Sequence, residues 1–325
     1  VSIWRIVGRV VLALVIALAT VWAGLALWFR LPGSDMVRGA VVAGFVVLAL
    51  AAMLRRRSLG SFVVAFLGVV IWWQTLTPPE TRDYSPEVAR QSYGEISGDR
   101  LVMHDMRDFT WRSKEDFDAN WVSRTYDLAQ LETTDVFLSY WGHDYMAHLI
   151  VSFGFADGEH LAWSVEVRRQ VGGGFSPLAD MFKANTLAIL AASERDVVGL
   201  RTNVRGEDVQ LYRLKVRKEA ARRILERFVR DASELAEQPK WYHSILTNCT
   251  TVVIRIVNEV GAGQAWDWRV MANGYLPEFA YEIGAVNSSV PLEELRELGR
   301  VGDRARAHGL GDGFEAAIRE GVPVP

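Results

Sequence analysis

The 325-residue chain carries 36 Lys+Arg against 39 Asp+Glu, a formal net charge of −3, and half of its residues are hydrophobic. That hydrophobic share excludes a disordered chain, and the lack of a basic excess argues against nucleic acid as a partner. A single cysteine, Cys249, excludes an internal disulfide framework.

Three apolar runs open the sequence and predict transmembrane helices over 6–29, 37–54 and 59–76, within a membrane anchor of residues 1–77. The third run ends in Ile71-Trp72-Trp73, an aromatic signature of the membrane–water interface. A cleavable signal peptide is not expected. Two further apolar runs follow the first, and no small-residue cleavage site closes its core. Arg5 and Arg9 precede the first run, and Arg55-Arg56-Arg57 separate the second from the third. The positive-inside rule makes both cytoplasmic, so three crossings deliver the rest of the chain outside the membrane. For a bacterial inner membrane that space is the periplasm.

Residues 78–95, with Pro78, Pro79 and Pro86, read as a linker. Residues 96–325 read as one α+β domain around a central antiparallel sheet, a size one core supports. From residue 78 onward the chain has 29 Lys+Arg against 38 Asp+Glu, so its link to the bilayer is expected from the anchor, not from charge. The predicted strands are 100–106, 136–141, 147–155, 160–168, 197–204 and 209–216. Asp157-Gly158 gives a hairpin turn between the third and the fourth. The predicted helices are 178–192, 218–235, 250–260 and 292–298.

The chemistry centres on Thr247-Asn248-Cys249-Thr250-Thr251. Thr247 or Asn248 reads as an N-cap, and Val252, Val253, Ile256, Val257 and Val260 recur at helical spacing before Gly261. The lone thiol therefore falls in the first turn of a helix. Unpaired N–H groups and the positive dipole end there favour a thiolate and can receive an oxyanion. The competing reading is a small buried hydrophobe. A solitary thiol in an oxidising compartment gives weight to a functional role.

Alternation supplies the partners. His148, Ile150 and Ser152 share one face of the strand 147–155, while Ser164, Glu166 and Arg168 share one face of 160–168. Paired as a hairpin, these rows meet in one layer that a helix bearing Cys249 could cover. The layer then holds a thiol, an imidazole and a polar orienter. A solvated strand face with an incidental histidine is the alternative. His243 competes as base, and His143, in a Trp141-Gly142-His143-Asp144 turn, is a candidate for the site entrance. Gly172-Gly173-Gly174 reads as a mobile loop at the rim. No HExxH, CxxC, GxSxG or P-loop pattern occurs, so neither a metal nor a cofactor is expected.

Several stretches resemble the bacterial Lnb N-terminal periplasmic domain family. They include Arg107-Asp-Phe-Thr-Trp-Arg-Ser, Arg124-Thr-Tyr-Asp-Leu, Ala147-His148-Leu149, Ser164-Val165-Glu166-Val167-Arg168, Leu200-Arg-Thr-Asn and Tyr242 through Asn248-Cys249-Thr250-Thr251. The order of His, polar strand residue and Asn-Cys is also similar to the circularly permuted NlpC-type branch of papain-like enzymes. The resemblance implies Cys249 as nucleophile, His148 as general base and Glu166 or Ser164 as orienter; Asn248, Arg168, Tyr242 and His143 are the candidates for the substrate side. It further implies acyl transfer or hydrolysis through a thioester, with a phospholipid and a lipoprotein as partners. Gln170 and Gly173 stand where acidic residues are expected, and Ala184 and Thr186 where Gln and Glu are expected. A cell-wall peptide amidase and a non-enzymatic envelope scaffold are the other two readings.

Overall fold

A computed structural model describes residues 3–261, 263 and 265–325. The chain forms two compact units: Val1–Pro79 with Ser176–Ala184, and Glu80–Phe175 with Asn185–Pro325. The first contains helices α1 (Ile3–Arg30), α2 (Asp35–Leu54), α3 (Leu59–Thr75) and the short α4 (Pro177–Asp180). Ser34 caps α2, and Arg30 sits in the last turn of α1, where a cation complements the helix dipole. Two of these helices, α1 and α2, are long and apolar enough to cross a membrane, where the sequence predicted three. A 3₁₀ turn at Arg56–Ser58 precedes α3, which starts at the predicted residue 59 but ends at Thr75 and so has 17 residues. At 1.5 Å per residue that rises about 25 Å, short of a hydrocarbon core of about 30 Å. The C-terminal ends of α1 and α3 lie together, because Phe182 stacks on Phe29 and meets Trp73 edge-on.

The second unit is an α+β domain. Its strands are β1 (Tyr93–Ser97), β2 (Arg100–Arg107), β3 (Thr110–Trp111), β4 (Phe117–Asp118), β5 (Trp121–Asp127), β6 (Leu131–Tyr140), β7 (Ala147–Phe155), β8 (His160–Arg168), β9 (Thr186–Ala192) and β10 (Asp208–Arg213). The sheet runs β1-β2-β9-β8-β7-β6-β10, with β5 also on β2, while β3 and β4 form a separate ribbon. It is mixed, not antiparallel as predicted, because β2 meets β9 in parallel at Arg107 and Ala192.

Two predicted elements change type. The expected helix 178–192 is β9 preceded by α4. Every residue of β9 is buried, and a run buried on both faces of a sheet carries no period that separates it from a buried helix. The expected strand 197–204 is instead α5 (Glu194–Val197), capped by Ser193, followed by a π-helical turn at Leu200–Val204. The stretch read as a linker is docked on the domain: Gln91 donates to the Ile189 carbonyl at 2.6 Å, and Ser92 is fully buried.

Two layers cover the sheet. On one face lies α6 (Lys218–Glu237), whose Ala221, Ile224, Leu225, Phe228 and Ala232 recur at helical spacing. They pack with Leu149, Val151, Phe153, Trp163 and Val165, and α7 (Cys249–Glu259) joins the same core through Val252, Val253 and Ile256. On the other face Ile150 and Ala162 pack with α5, α10 (Gly302–His308) and α11 (Phe314–Ala317). The intervening short helices are α8 (Leu276–Glu282) and α9 (Leu292–Gly299). Phe228 anchors the larger core, stacking on Trp163 at 5.4 Å with no exposed surface. Phe228→Ala is expected to cost about 3–5 kcal/mol, read as a lowered thermal midpoint of the detergent-solubilised chain.

Candidate active site

The N-terminus of α7 is built by its cap. Asn248 is extended, and its Oδ1 accepts from Thr250 N at 3.0 Å and Thr251 N at 2.9 Å, while Thr251 Oγ1 accepts from Asn248 N at 2.9 Å. This capping box fixes Cys249 at the first helical position. It also occupies two of the amides that the sequence offered to an oxyanion. Among the described hydrogen bonds the Cys249 N–H has no partner, so it is the helix-end donor left for that task.

Where His148 sits follows from a break in the sheet. The β7–β8 ladder runs from Gly154↔His160 to Ile150↔Ser164 and stops there. Beyond that point β7 stays on β6, with Ser139↔His148 and Tyr140↔Ala147. β8 stays on β9, with Glu166↔Ala188 and Arg168↔Thr186. His148 and Glu166 therefore face each other across an unzipped end. There His148 Nε2 lies 2.7 Å from Ser164 Oγ and 3.3 Å from Glu166 Oε1, and Ser164 donates to the same oxygen at 2.6 Å. With Nε2 facing these groups, Nδ1 is the ring nitrogen left for Cys249.

The sequence offered Ser164 or Glu166 as orienter; both stand on Nε2. A further cation completes the group: Arg201, on the π-helical turn, donates to Glu166 Oε1 at 3.1 Å and to Val197 O at 2.7 Å.

Helix α7 does not cover the His148 row, as the alternation suggested. Its valine and isoleucine stripe packs on the alternate residues, Leu149, Val151, Trp163 and Val165. The reason is chemical matching: the His148–Ser164–Glu166 side is occupied by buried Arg201, which an apolar stripe could not satisfy. Thiol and imidazole meet at the open end of the strands.

Their titration reflects this meeting. Burial raises the Cys249 thiol, but its hydrogen bond with His148 and the imidazolium charge outweigh burial and bring it below the ordinary thiol value. Burial and Arg201 lower His148, yet the charge of Glu166 and hydrogen bonds to Cys249 and Glu166 raise it overall. Burial acts to raise Glu166, while His148, Arg201 and Arg107 hold it well below the usual carboxylate range. Both shifts run toward the charged forms, the thiol pushed down and the imidazole pushed up, which is the direction that favours a thiolate–imidazolium pair.

Asn273, like Arg201, is a site residue that sequence reading missed. Its Oδ1 accepts from Ala147 N at 2.8 Å, and its Nδ2 donates to Ala147 O at 2.6 Å and Thr250 Oγ1 at 2.7 Å. Its Nδ2 also lies 4.0 Å from Cys249 Sγ. One buried amide thus staples the residue before His148 to the residue after Cys249. In sequence, Asn273-Gly274 looks only like a turn. Gly274 is required by close approach, since a Cβ there would collide with the Asp144 carbonyl.

The other candidates lie apart from this group. Arg168 donates to Val88 O at 2.9 Å and Ala89 O at 2.7 Å and stacks on Tyr84, holding the 84–89 segment. Tyr242 is buried in the larger core. His143 is exposed on the β6–β7 turn and stacks on Tyr145. His243 Nδ1 accepts from Ile245 N and Leu246 N, both at 3.2 Å, so it shapes the turn before α7. Among the described residues no group of three or more His, Cys, Asp or Glu side chains is placed to hold a metal.

Residues 117–274 match the family model of the Lnb N-terminal periplasmic domain. The similarity covers 158 of the 325 residues, just under half of the chain. No curated protein and no solved structure matches it. The Lnb segment begins at β4 and ends just past Asn273, so it encloses Cys249, His148, Ser164, Glu166, Arg201 and Asn273 together.

Three outcomes follow for Cys249. Its alkylation by iodoacetamide should titrate with a midpoint below the ordinary thiol value of about 8.5. In His148→Ala the imidazolium and its hydrogen bond are gone, leaving burial opposed only by the Leu149 backbone and Thr250 hydroxyl, so the midpoint rises relative to the parent chain. Glu166→Gln lowers His148, delays imidazolium formation and gives a midpoint between the two. Identical midpoints in all three proteins would refute the pair.

Proposed function

We propose that the protein is a membrane-anchored periplasmic thiol acyltransferase or hydrolase that works through an acyl-thioester on Cys249. The observation that carries this reading is His148 held between Cys249 and the Ser164–Glu166 pair at the unzipped strand end. The order of His strand, polar strand residue and Cys helix is the reason for reading the domain as a permuted papain-like fold. Periplasmic placement is supported by the family's description.

In the proposed cycle the Cys249 thiolate attacks the acyl carbonyl, and the carbonyl π electrons move to oxygen. The Cys249 N–H is the donor available to that oxyanion. As the tetrahedral centre collapses, the bond to the leaving alkoxide breaks and the His148 imidazolium protonates it. The neutral imidazole then takes a proton from the incoming amine or water, which attacks the thioester and regenerates the thiolate. Glu166 and Ser164 hold the ring and stabilise its charged form, as the third member of a triad does. A bilayer anchor keeps lipid acyl esters at high effective concentration.

In proteoliposomes, denaturation during turnover should trap an acyl group on Cys249 that neutral hydroxylamine releases. Cys249→Ser should carry none, and His148→Ala should acylate about 10²–10⁴-fold more slowly. Soluble peptides released from sacculi without any acyl adduct would favour the amidase reading. Silence in both assays, with Cys249→Ser and His148→Ala indistinguishable from the parent chain, would leave the scaffold.

A further inference from the structure

Three loops lead directly into the three site residues on which the dyad depends: 141–146 into His148, 243–248 into Cys249, and 266–271 into Asn273. Each carries large apolar side chains open to solvent. Trp141 and Tyr145 are 47% and 46% exposed, Ile245 and Leu246 40% and 69%, Trp266 and Trp268 76% and 55%. Among the described residues, the exposed tryptophans of the second unit are Trp141, Trp266 and Trp268, and all three lie on these loops.

The loops converge. Gly274 N donates to Tyr145 O at 3.1 Å, Asn273 bridges Ala147 to Thr250, and Trp268 packs against Tyr275 at 5.6 Å. Charge on the third loop is self-paired: Arg269 donates to Asp267 at 2.8 Å and 2.9 Å, and also to Glu282 at 2.7 Å. His143 and His243 are the titratable imidazoles on the other two loops, beside Asp144. Such a rim loses little when it leaves bulk water. Exposed tryptophan and tyrosine beside aliphatic tips, with a formal net charge of only −1 from Asp144, is the composition of a protein zone at the headgroup level of a bilayer. A rim this apolar on a water-facing protein marks an interaction surface.

We infer that the rim of the Cys249 site is a bilayer-docking surface, its tryptophans seated at the membrane–water interface. The occupant is lipid, because the same chain carries two helices long and apolar enough to cross a membrane, which keeps a bilayer within reach. The inference rests on the loops and not on thiol chemistry, so it stands or falls separately from the acyl-transfer reading. Docking there would present the site to groups lying in the interface plane rather than to solutes in the aqueous space.

The test uses the full chain in Cys249→Ser background, reconstituted in phosphatidylcholine–phosphatidylglycerol nanodiscs, so that no result depends on catalysis. Spin labels are placed through Trp266→Cys and Leu246→Cys, with Asp157→Cys, on the turn at the opposite end of the β7–β8 hairpin, as the aqueous reference. Power-saturation is read with oxygen, which partitions into lipid, and with a polar nickel chelate, which does not. The expected result is a severalfold rise of the oxygen-to-nickel ratio at both rim positions over Asp157→Cys. Ratios equal to the reference would overturn the inference. So would exclusion of both reagents, which would mean that a protein surface, a second copy included, covers the rim.

Discussion

The site depends on a desolvated imidazole held between two opposite demands. Burial and Arg201 both disfavour a charged His148, and Glu166, with Ser164 bridging to it, reverses them together with the hydrogen bond to Cys249. Arg201 at the same time holds Glu166 ionised, so the cation that opposes His148 directly supports it through the carboxylate. In a low-dielectric setting such couplings are stronger than in water, and each member is costly without its partner. This linkage explains why a carboxylate, a hydroxyl and a guanidinium gather behind one histidine.

Behind that group the second unit carries further buried ion pairs. Arg107 donates to Asp196 at 2.9 Å, and Asp196 also receives Phe109 N and Trp111 Nε1. Arg319 bridges Asp135 and Glu194, both fully buried, from the C-terminal helices to β6 and α5. Pairs of this kind add little net stability over apolar residues, but removing one partner leaves a buried charge. Their geometric effect is register: they fix α5 and the π-helical turn against the sheet, which sets where Arg201 reaches Glu166. The unzipping of β7 from β8 completes the arrangement by opening room for side chains between strands that would otherwise close on each other.

Much of the site was legible from residues alone. β7 and β8 stand at the predicted bounds, 147–155 and 160–168, because alternation and the Asp157-Gly158 turn reinforce each other. The helix after Asn248 was legible from its cap and its valine–isoleucine spacing. β9 was not, because an entirely apolar strand has no polar face to mark its period. Asn273 was not, because an Asn-Gly pair carries a local turn signal, and its partners Ala147 and Thr250 lie 126 and 23 residues away.

By itself the sequence determined the residue types that could do the chemistry, the apolar helices that precede the domain, and the hairpin that carries His148 and Glu166. These are local properties, set by period, turn chemistry and capping within a few residues. Tertiary structure decided which face α7 covers, that the sheet is mixed, that β7 and β8 part at Ile150 and Ser164, and that Arg201 and Asn273 belong to the site. Those outcomes depend on burying apolar stripes against apolar partners and buried charges against counter-charges. Such choices are made between segments far apart in the chain, and no local pattern records them.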